Sequence, residues 1–453
     1  MPTENLSPDD LTDFAELLAT ADTAPPEHGG PRRRSRRKQR GGRRRGGLIA
    51  LLVVVVVLGA VGGYAGWALN ASLPVPVASV HKPAVPVTSA AEVPLPSDGA
   101  SAIRLSGADK YFAAAKTKLD LTSGTTKPLT IASITKVVTA LVVLDARPLS
   151  DADDHGPMIT WSKADHDLYD RYYVMGATIA TMPIGSSMSE YDALATMLLP
   201  SACNYADALA TWAYGSQWSF VAATRAWLAD HGLKHTTIVE PTGLSHENRS
   251  TPADLIKIGK LAAANPVVAK IAGTASLVVP GAGMIRNTND LLGTDGITGL
   301  KTGNLGYGSF CLLYTADVNV QSAGSVHVIG AVLGGGSRES IDGDVKATLD
   351  GIYSGFHMVP VAETDQRLGT YTTAWGSSAR LVVSESASVF TWSDTPITVS
   401  MKTATPKDYT DGEVVGQLTW TAGPRTAKAK IAVDGDITPP DAWWRLTHPF
   451  ELG

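Results

Sequence analysis

Cysteine is nearly absent from this chain. Two residues in 453, Cys203 and Cys311, make no disulfide framework, and no CxxC metal or redox motif exists. A single Cys203–Cys311 bridge stays open, because sequence does not fix Cβ geometry. Charge is also scarce, at 18% of residues against 44% hydrophobic, so the chain can bury a real core. The net charge of -5 excludes a uniform nucleic-acid-binding surface. A phosphate-binding glycine fingerprint is missing too. Gly303, Gly306 and Gly308 do not stand between a strand and a helix, and they read as a turn. His231 and His235 in HGLKH have a helical ligand spacing, but Gly232 interrupts it and no third ligand is near, so they read as a loop. Neither a metal nor a cofactor is expected, and no long internal repeat recurs. At this length two or three domains are expected.

Only one long apolar run is present. LIALLVVVVVLGAVGGYAGWAL, residues 48–69, carries no charge, and as a helix it spans about 33 Å, enough to cross a bilayer core. It lacks the short apolar core and small-residue cleavage site of a secretory signal, so it reads as an uncleaved lipid-embedded anchor. Residues 1–47 before it read as a disordered basic tail, with a dense run from Arg32 to Arg45. The positive-inside rule keeps that run in the cytosol and the rest of the chain outside. Within the tail, SPDDLTDFAELL has a helix start at Ser7 and Pro8, and Leu11, Phe14, Leu17 and Leu18 share a face. It is either a fraying helix or a docking helix for a cytosolic partner. Residues 70–99 alternate Pro with Val and Ala and read as a semi-extended spacer.

Residues 100–357 mix helices and strands. LDLTSGTTKPLTIAS suggests a hairpin leading into a helix, and MSEYDALATMLLPS an amphipathic helix. STPADLIKIGKLAAANP has a complete set of helix signals: Thr251 as cap, Pro252 first, Asp254 closing a capping box, Asn265-Pro266 as stop. GITGLKTG, SFCLLYTAD and VHVIGAVLGG read as consecutive strands. The order fits helices on an antiparallel sheet, an α+β, multi-domain chain. From residue 358 short alternating runs separated by turn residues predict a small all-β domain, 358–453, which includes Trp443 and Trp444. Those two indoles either pack or bind wall polymer.

Chemistry enters with IASITKVVTALVVLDA. S-x-x-K alone says little, since it occurs three times, at Ser35–Lys38, Ser79–Lys82 and Ser133–Lys136. The first lies in the basic tail and the second in the spacer, and only Ser133 opens an apolar helix. Positions i and i+3 are helical neighbours, so Lys136 lies one turn from Ser133. A serine hydroxyl needs a base to take its proton. A lysine serves only when neutral, which burial and a second cation favour. Lys301, on the strand of LKTGNLGYG, is the candidate second cation. Thr302 adds a hydroxyl, and Gly303 would let a substrate backbone approach. Ser201 in LLPSACNYADALA lies between two helices and could relay protons between the lysines.

S-x-x-K, then a second serine motif, then K-T-G, in that order, resembles the signature of penicillin-binding proteins and class A β-lactamases. IASITKVVTALVVLDA, MLLPSACNYADALA, VEPTGLSHENRSTPADL, GITGLKTG, AVLGGGSRES and WWRLTHPFEL are most similar to the low-molecular-mass serine D-alanyl-D-alanine carboxypeptidases. The resemblance covers about residues 103–453. It implies a penicillin-binding-protein/β-lactamase-like catalytic domain followed by a β domain. It also implies Ser133 as nucleophile, Lys136 as base, Ser201 and Lys301 in proton transfer, and the N–H groups of Ser133 and Asn304 as an oxyanion hole. Thr302 and Arg338 would bind the substrate's free carboxylate. Peptidoglycan stem peptides are the implied substrates and β-lactams the implied inhibitors. One position departs: the family's second motif usually ends in Asn, whereas Ser201-Ala202-Cys203 ends in cysteine. Either Cys203 fills that place or Asn204 swings in. A β-lactamase would need a deacylating carboxylate, for which Glu240 lies in the right region but in the wrong word, EPTGL. A transpeptidase would differ only in the acyl acceptor. A non-catalytic wall-binding scaffold is the remaining alternative.

Overall fold

The computed structural model describes residues 43–453, so the expected helix near Ser7 lies outside the described residues. Two compact units are present, one holding the apolar helix with residues 441–453, the other residues 74–440.

In the first unit, helix Arg43–Asn70 contains a 25-residue stretch, Gly46–Asn70, long and apolar enough to cross a membrane. The C-terminal residues pack on its end. Tyr64 Oη donates to the Leu446 carbonyl (2.7 Å), Arg445 Nη1 to that of Ala71 (2.9 Å), and the Gly453 N–H to that of Ser72 (3.0 Å). Trp443 and Trp444 therefore do not belong to the β domain as expected. Asp441 caps a short helix, Ala442–Thr447, and the strands end earlier, at Asp434.

The second unit is built on a five-stranded antiparallel sheet. Its strand order is Ile297–Gly303, Phe310–Val320, Gly324–Gly335, Ala100–Ser106, Asp120–Gly124. The period-two pattern sends alternate side chains to opposite faces, and both faces are covered. On one, Leu312, Tyr314 and Val328 meet Ile341, Val345 and Leu349 of helix Arg338–Ser354. On the other, Leu313, Ala331 and Leu333 join the larger core that contains helices Thr135–Ala146 and Pro252–Ala264. Gly259 is needed there, since a Cβ on it would meet Ile329 Cγ2 at 2.7 Å.

Two local expectations need correction. LDLTSGTTKPLT does not fold on itself. Asp120–Gly124 pairs with Ala100–Ser106, and Leu129–Thr130 pairs with Arg249–Ser250. Each half pairs with a segment distant from the other half instead. The cap of Pro252–Ala264 is Thr251 Oγ1 accepting from the Asp254 N–H (3.2 Å), but the Asp254 carboxylate does not return the bond. It accepts instead from the His235 N–H (2.8 Å) and Lys257 Nζ (2.9 Å).

The β domain is a six-stranded sheet completed by a segment from before residue 100. Val77–Val80 pairs antiparallel with Arg367–Thr372 at its edge. Part of the proline-rich stretch is thus a strand of that sheet, so it is no free spacer. Its Pro-free tetrapeptide VASV has the N–H groups a ladder requires. Further along, the carbonyl of Pro94 accepts from Thr348 Oγ1 (2.6 Å).

Candidate active site

Ser133 stands in a 3-10 turn, Ala132–Ile134, that runs straight into helix Thr135–Ala146. Ala132 before it has φ +47°, the left-handed region that non-glycine residues rarely occupy. The turn is held from two sides. A Cβ on Gly243 (φ +84°) would meet the Ala132 carbonyl oxygen at 2.1 Å. A Cβ on Gly303 would meet Ala132 Cβ at 3.0 Å and the Ser133 nitrogen at 3.2 Å. The space that Gly303 leaves is therefore filled by the chain's own turn, not reserved for a substrate backbone as expected. The consequence is that the end of strand Ile297–Gly303 lies directly against the N–H of Ser133.

Lys136 is fully buried on the apolar helix, while Ser133 stays partly exposed. Its ammonium nitrogen lies 3.1 Å from Ser133 Oγ, 3.5 Å from Cys203 Sγ and 2.6 Å from the carbonyl oxygen of Thr242. Neighbours at i and i+3 meet here as the spacing required. Lys301 is buried too. Its pKa is held well below the ordinary lysine value, first by burial, then by the positive charges of Lys136 and Arg338, with Cys203 opposing. Lys301 is the second lysine singled out in the sequence, but the effect seen here is that of Lys136 on Lys301.

Ser201 sits between helices Glu190–Leu198 and Cys203–Tyr214, buried, with φ +69°. Cys203, not Asn204, faces Lys136. Asn204 is turned away, with its Oδ1 accepting from the Ala180 N–H (3.1 Å) and its Nδ2 donating to the Ala180 carbonyl (2.8 Å). Consecutive helical residues point about 100° apart, so a one-place shift cannot be made up by rotation. Cys203 and Cys311 are both free thiols, so the bridge left open in the sequence is not formed. Cys311 Sγ instead donates to the carbonyls of Ser309 (3.3 Å) and Thr130 (3.4 Å).

Glu240 is spent on its own loop. Its carboxylate accepts from the Thr242 N–H and hydroxyl (2.6 Å each), the N–H groups of Gly243 (2.7 Å) and Ser245 (3.2 Å), and Asn248 Nδ2 (2.8 Å). A carboxylate so occupied is not free to activate water. It holds in place the Thr242 carbonyl that receives Lys136. Asn304 is exposed, and its Oδ1 accepts from the Gly306 N–H (2.7 Å), closing the turn after the third motif. His231 ends its helix with Nδ1 against the Trp227 carbonyl (2.8 Å).

Thr288 escaped the sequence reading. It lies in the loop before strand Ile297–Gly303. Its Oγ1 is 2.7 Å from Thr302 Oγ1 and accepts from Lys301 Nζ (3.4 Å), and its carbonyl accepts from Arg338 Nη1 (3.2 Å). Nothing in NTND marks the threonine. Its role comes from which elements the fold brings past it. Thr242 was equally silent, because a backbone carbonyl carries no side-chain signature.

The arrangement is a serine hydroxyl, a buried amine in contact with it, a second buried amine, and an arginine set behind the third motif. Residues 118–336 match the family model described as D-alanyl-D-alanine carboxypeptidase. A D-alanyl-D-alanine endopeptidase of Pseudomonas aeruginosa is 32% identical over 197 residues, 42% of this chain and 60% of that protein. The chain thus spans about three-fifths of the length of that curated relative. Penicillin-binding protein 5 of Haemophilus influenzae has the same fold at 17% identity, with a TM-score of 0.50 over 80% of this chain and all of that one. A Streptomyces DD-transpeptidase is 25% identical, with a TM-score of 0.46, over 57% of this chain and 97% of that one. The resemblance carried by the three ordered motifs is thus matched by that family model over residues 118–336.

Proposed function

We propose that this chain is a membrane-anchored D-Ala-D-Ala carboxypeptidase that acts on the outer face, removes the terminal D-alanine of peptidoglycan stem peptides, and is acylated by β-lactams. The observation that carries the reading is the 3.1 Å contact between Lys136 Nζ and Ser133 Oγ. In its neutral form Lys136 accepts the hydroxyl proton along that contact. Ser133 Oγ then bonds to the scissile carbonyl carbon. The developing oxyanion is met by the N–H groups of Ser133 and Asn304, on the two elements that Gly303 lets touch. The C–N bond breaks, and the departing D-alanine amine takes a proton through Ser201 and Lys301. Water attacks the ester, its proton returns through Lys136, and Ser133 is regenerated. Thr302 and Arg338 hold the substrate's free carboxylate, with Cys203 beside the base in the place usually given to Asn.

The occupied carboxylate of Glu240 disfavours the β-lactamase reading. The endopeptidase name of the Pseudomonas relative keeps cleavage of cross-linked stems as a second reading. The test uses the full chain in detergent beside Ser133→Ala. Both are labelled with a fluorescent penicillin and assayed on a D-Ala-D-Ala peptide and on cross-linked dimers. Labelling and D-alanine release that vanish together in the variant support the proposal. Cleavage of dimers alone favours an endopeptidase, and labelling with transfer only to an added amine favours a transpeptidase. A folded chain that takes no label leaves the scaffold reading. For the anchor, protease added outside spheroplasts should digest the catalytic domain and spare an N-terminal tag.

A further inference from the structure

Thr288 has four polar engagements, and each goes to a different part of the site. Its N–H donates to the Leu199 carbonyl (3.1 Å), two residues before Ser201. Its carbonyl receives Arg338, and its hydroxyl lies between Lys301 and Thr302. No other hydroxyl among the described residues bonds both the lysine and the threonine of the third motif. A charged lysine amine has three donors and no acceptor, whereas a neutral one gains a lone pair. With Lys301 charged, the amine can only donate, so the order runs from Lys301 to Thr288 to Thr302. The Thr302 hydrogen is then left for an incoming anion. With Lys301 neutral the order can reverse, and Thr302 gives its hydrogen inwards.

We propose that Thr288 is a positioning residue that couples recognition of the substrate's terminal carboxylate to the protonation of Lys301. The proposal rests on the carboxypeptidase reading above and names how one end of that site informs the other. A bound carboxylate favours the outward order and so favours a proton on Lys301, the group that passes one to the leaving amine. The coupling is reciprocal: a proton on Lys301 tightens carboxylate binding. The charged and titratable groups facing Lys301 are Lys136 from the apolar helix, Cys203 from the second motif's helix and Arg338 from helix Arg338–Ser354. None of them bonds Thr302, whose hydroxyl meets that of Thr288, so the relay passes through Thr288.

The test is the second-order acylation rate of the full chain in detergent, from pH 6 to 10, with a penicillin and with its methyl ester. The wild type should prefer the free acid. Thr288→Val keeps both backbone bonds and removes the hydroxyl. It should lose about tenfold or more of that preference, with little change toward the ester and a displaced pH profile. Thr288→Ser should restore both preference and profile. Equal loss toward acid and ester, with the profile unmoved, would make Thr288 a packing residue only and overturn the proposal, as would no change at all. If Thr288→Val does not fold, judged by its melting curve, Thr288→Ala gives the same readout without the branched carbon. A wild-type chain that takes no label overturns the carboxypeptidase reading first, and a labelled wild type with an indifferent Thr288→Val overturns this inference alone.

Discussion

Lys136 Nζ lies 2.6 Å from the carbonyl oxygen of Thr242, and the N–H and hydroxyl of that threonine are both held by Glu240. Lys136 is therefore aimed by a carboxylate that never touches it. Glu240→Ala should free the loop. Several charge-assisted bonds are lost, costing on the order of 2–4 kcal/mol, and penicillin acylation should fall at least tenfold as Lys136 loses its seat. Melting curves and acylation rates check this. The contrary result is a variant that acylates normally and merely stops hydrolysing a chromogenic β-lactam. That would make Glu240 the deacylating base after all.

Lys301→Met should raise thermal stability at neutral pH while abolishing D-alanine release. The folded pKa of Lys301 lies well below that of a free lysine, about 10.4, mainly through burial and secondly through Lys136 and Arg338. Between those two values the unfolded chain holds a proton that the folded chain gives up. Stability contributed by this group therefore rises with pH across that window and is poorest below it. Tm measured from pH 7 to 10 should slope upward in the wild type and less so in the variant. A variant that melts lower than wild type at pH 7 would show that Lys301 is a net stabiliser.

Much of this was legible in the sequence, for specific physical reasons. The strands 297–303, 310–320 and 324–335 are long, rich in β-branched residues and bounded by Gly and Asn turns, so their type was plain. Ser133 and Lys136 were plain because a charged residue inside so apolar a helix demands a reason. What stayed hidden depends on pairs far apart in the chain. Val77–Val80 joins a strand almost three hundred residues away, and local proline content outweighed that in the reading. Thr288 and the carbonyl of Thr242 matter through the elements that reach them, which no spacing announces. Cys203 against Asn204 was undecidable until the helix start, at Cys203, fixed which of the two faces the lysine.

Both thiols should be free and slow to react. Burial pushes the Cys311 thiol up to about 12, and Cys203 is enclosed beside Lys136. Iodoacetamide without reductant should modify neither cysteine in the native chain and both after unfolding, read by intact mass. A need for reductant before the second alkylation would restore the Cys203–Cys311 bridge.

Gly303→Ala should be far more damaging than its single methyl suggests. The new carbon would sit 3.0 Å from both Ala132 Cβ and the Ile131 carbonyl oxygen, tighter than ordinary contact, and the turn carrying Ser133 would have to move. A small displacement of a nucleophile from its oxyanion donors costs about a hundredfold in rate. Acylation should drop accordingly while Tm falls by only a few degrees. Unchanged acylation would mean that the two elements need not touch for the oxyanion to be held.

Glu190 supplies a pH dependence unrelated to the site. It begins helix Glu190–Leu198, is almost wholly buried, and neither carboxyl oxygen has a hydrogen-bond partner among the described residues. Burial raises its pKa to about 7, with Asp154 adding to the effect and Arg147 opposing it. From the ordinary glutamate value to about 7 the folded chain keeps a proton that the unfolded chain releases. Stability from this group is therefore fully present below that window and is lost as pH rises through it. Glu190→Gln mimics the protonated acid in shape and removes the titration. It should leave Tm near pH 5 almost unchanged and raise stability at pH 8 by on the order of 1–2 kcal/mol. Penicillin acylation at pH 8 should not change, since Glu190 makes no bond to the site. Equal Tm shifts at pH 5 and pH 8 would show that the carboxyl group is already ionised across the whole range.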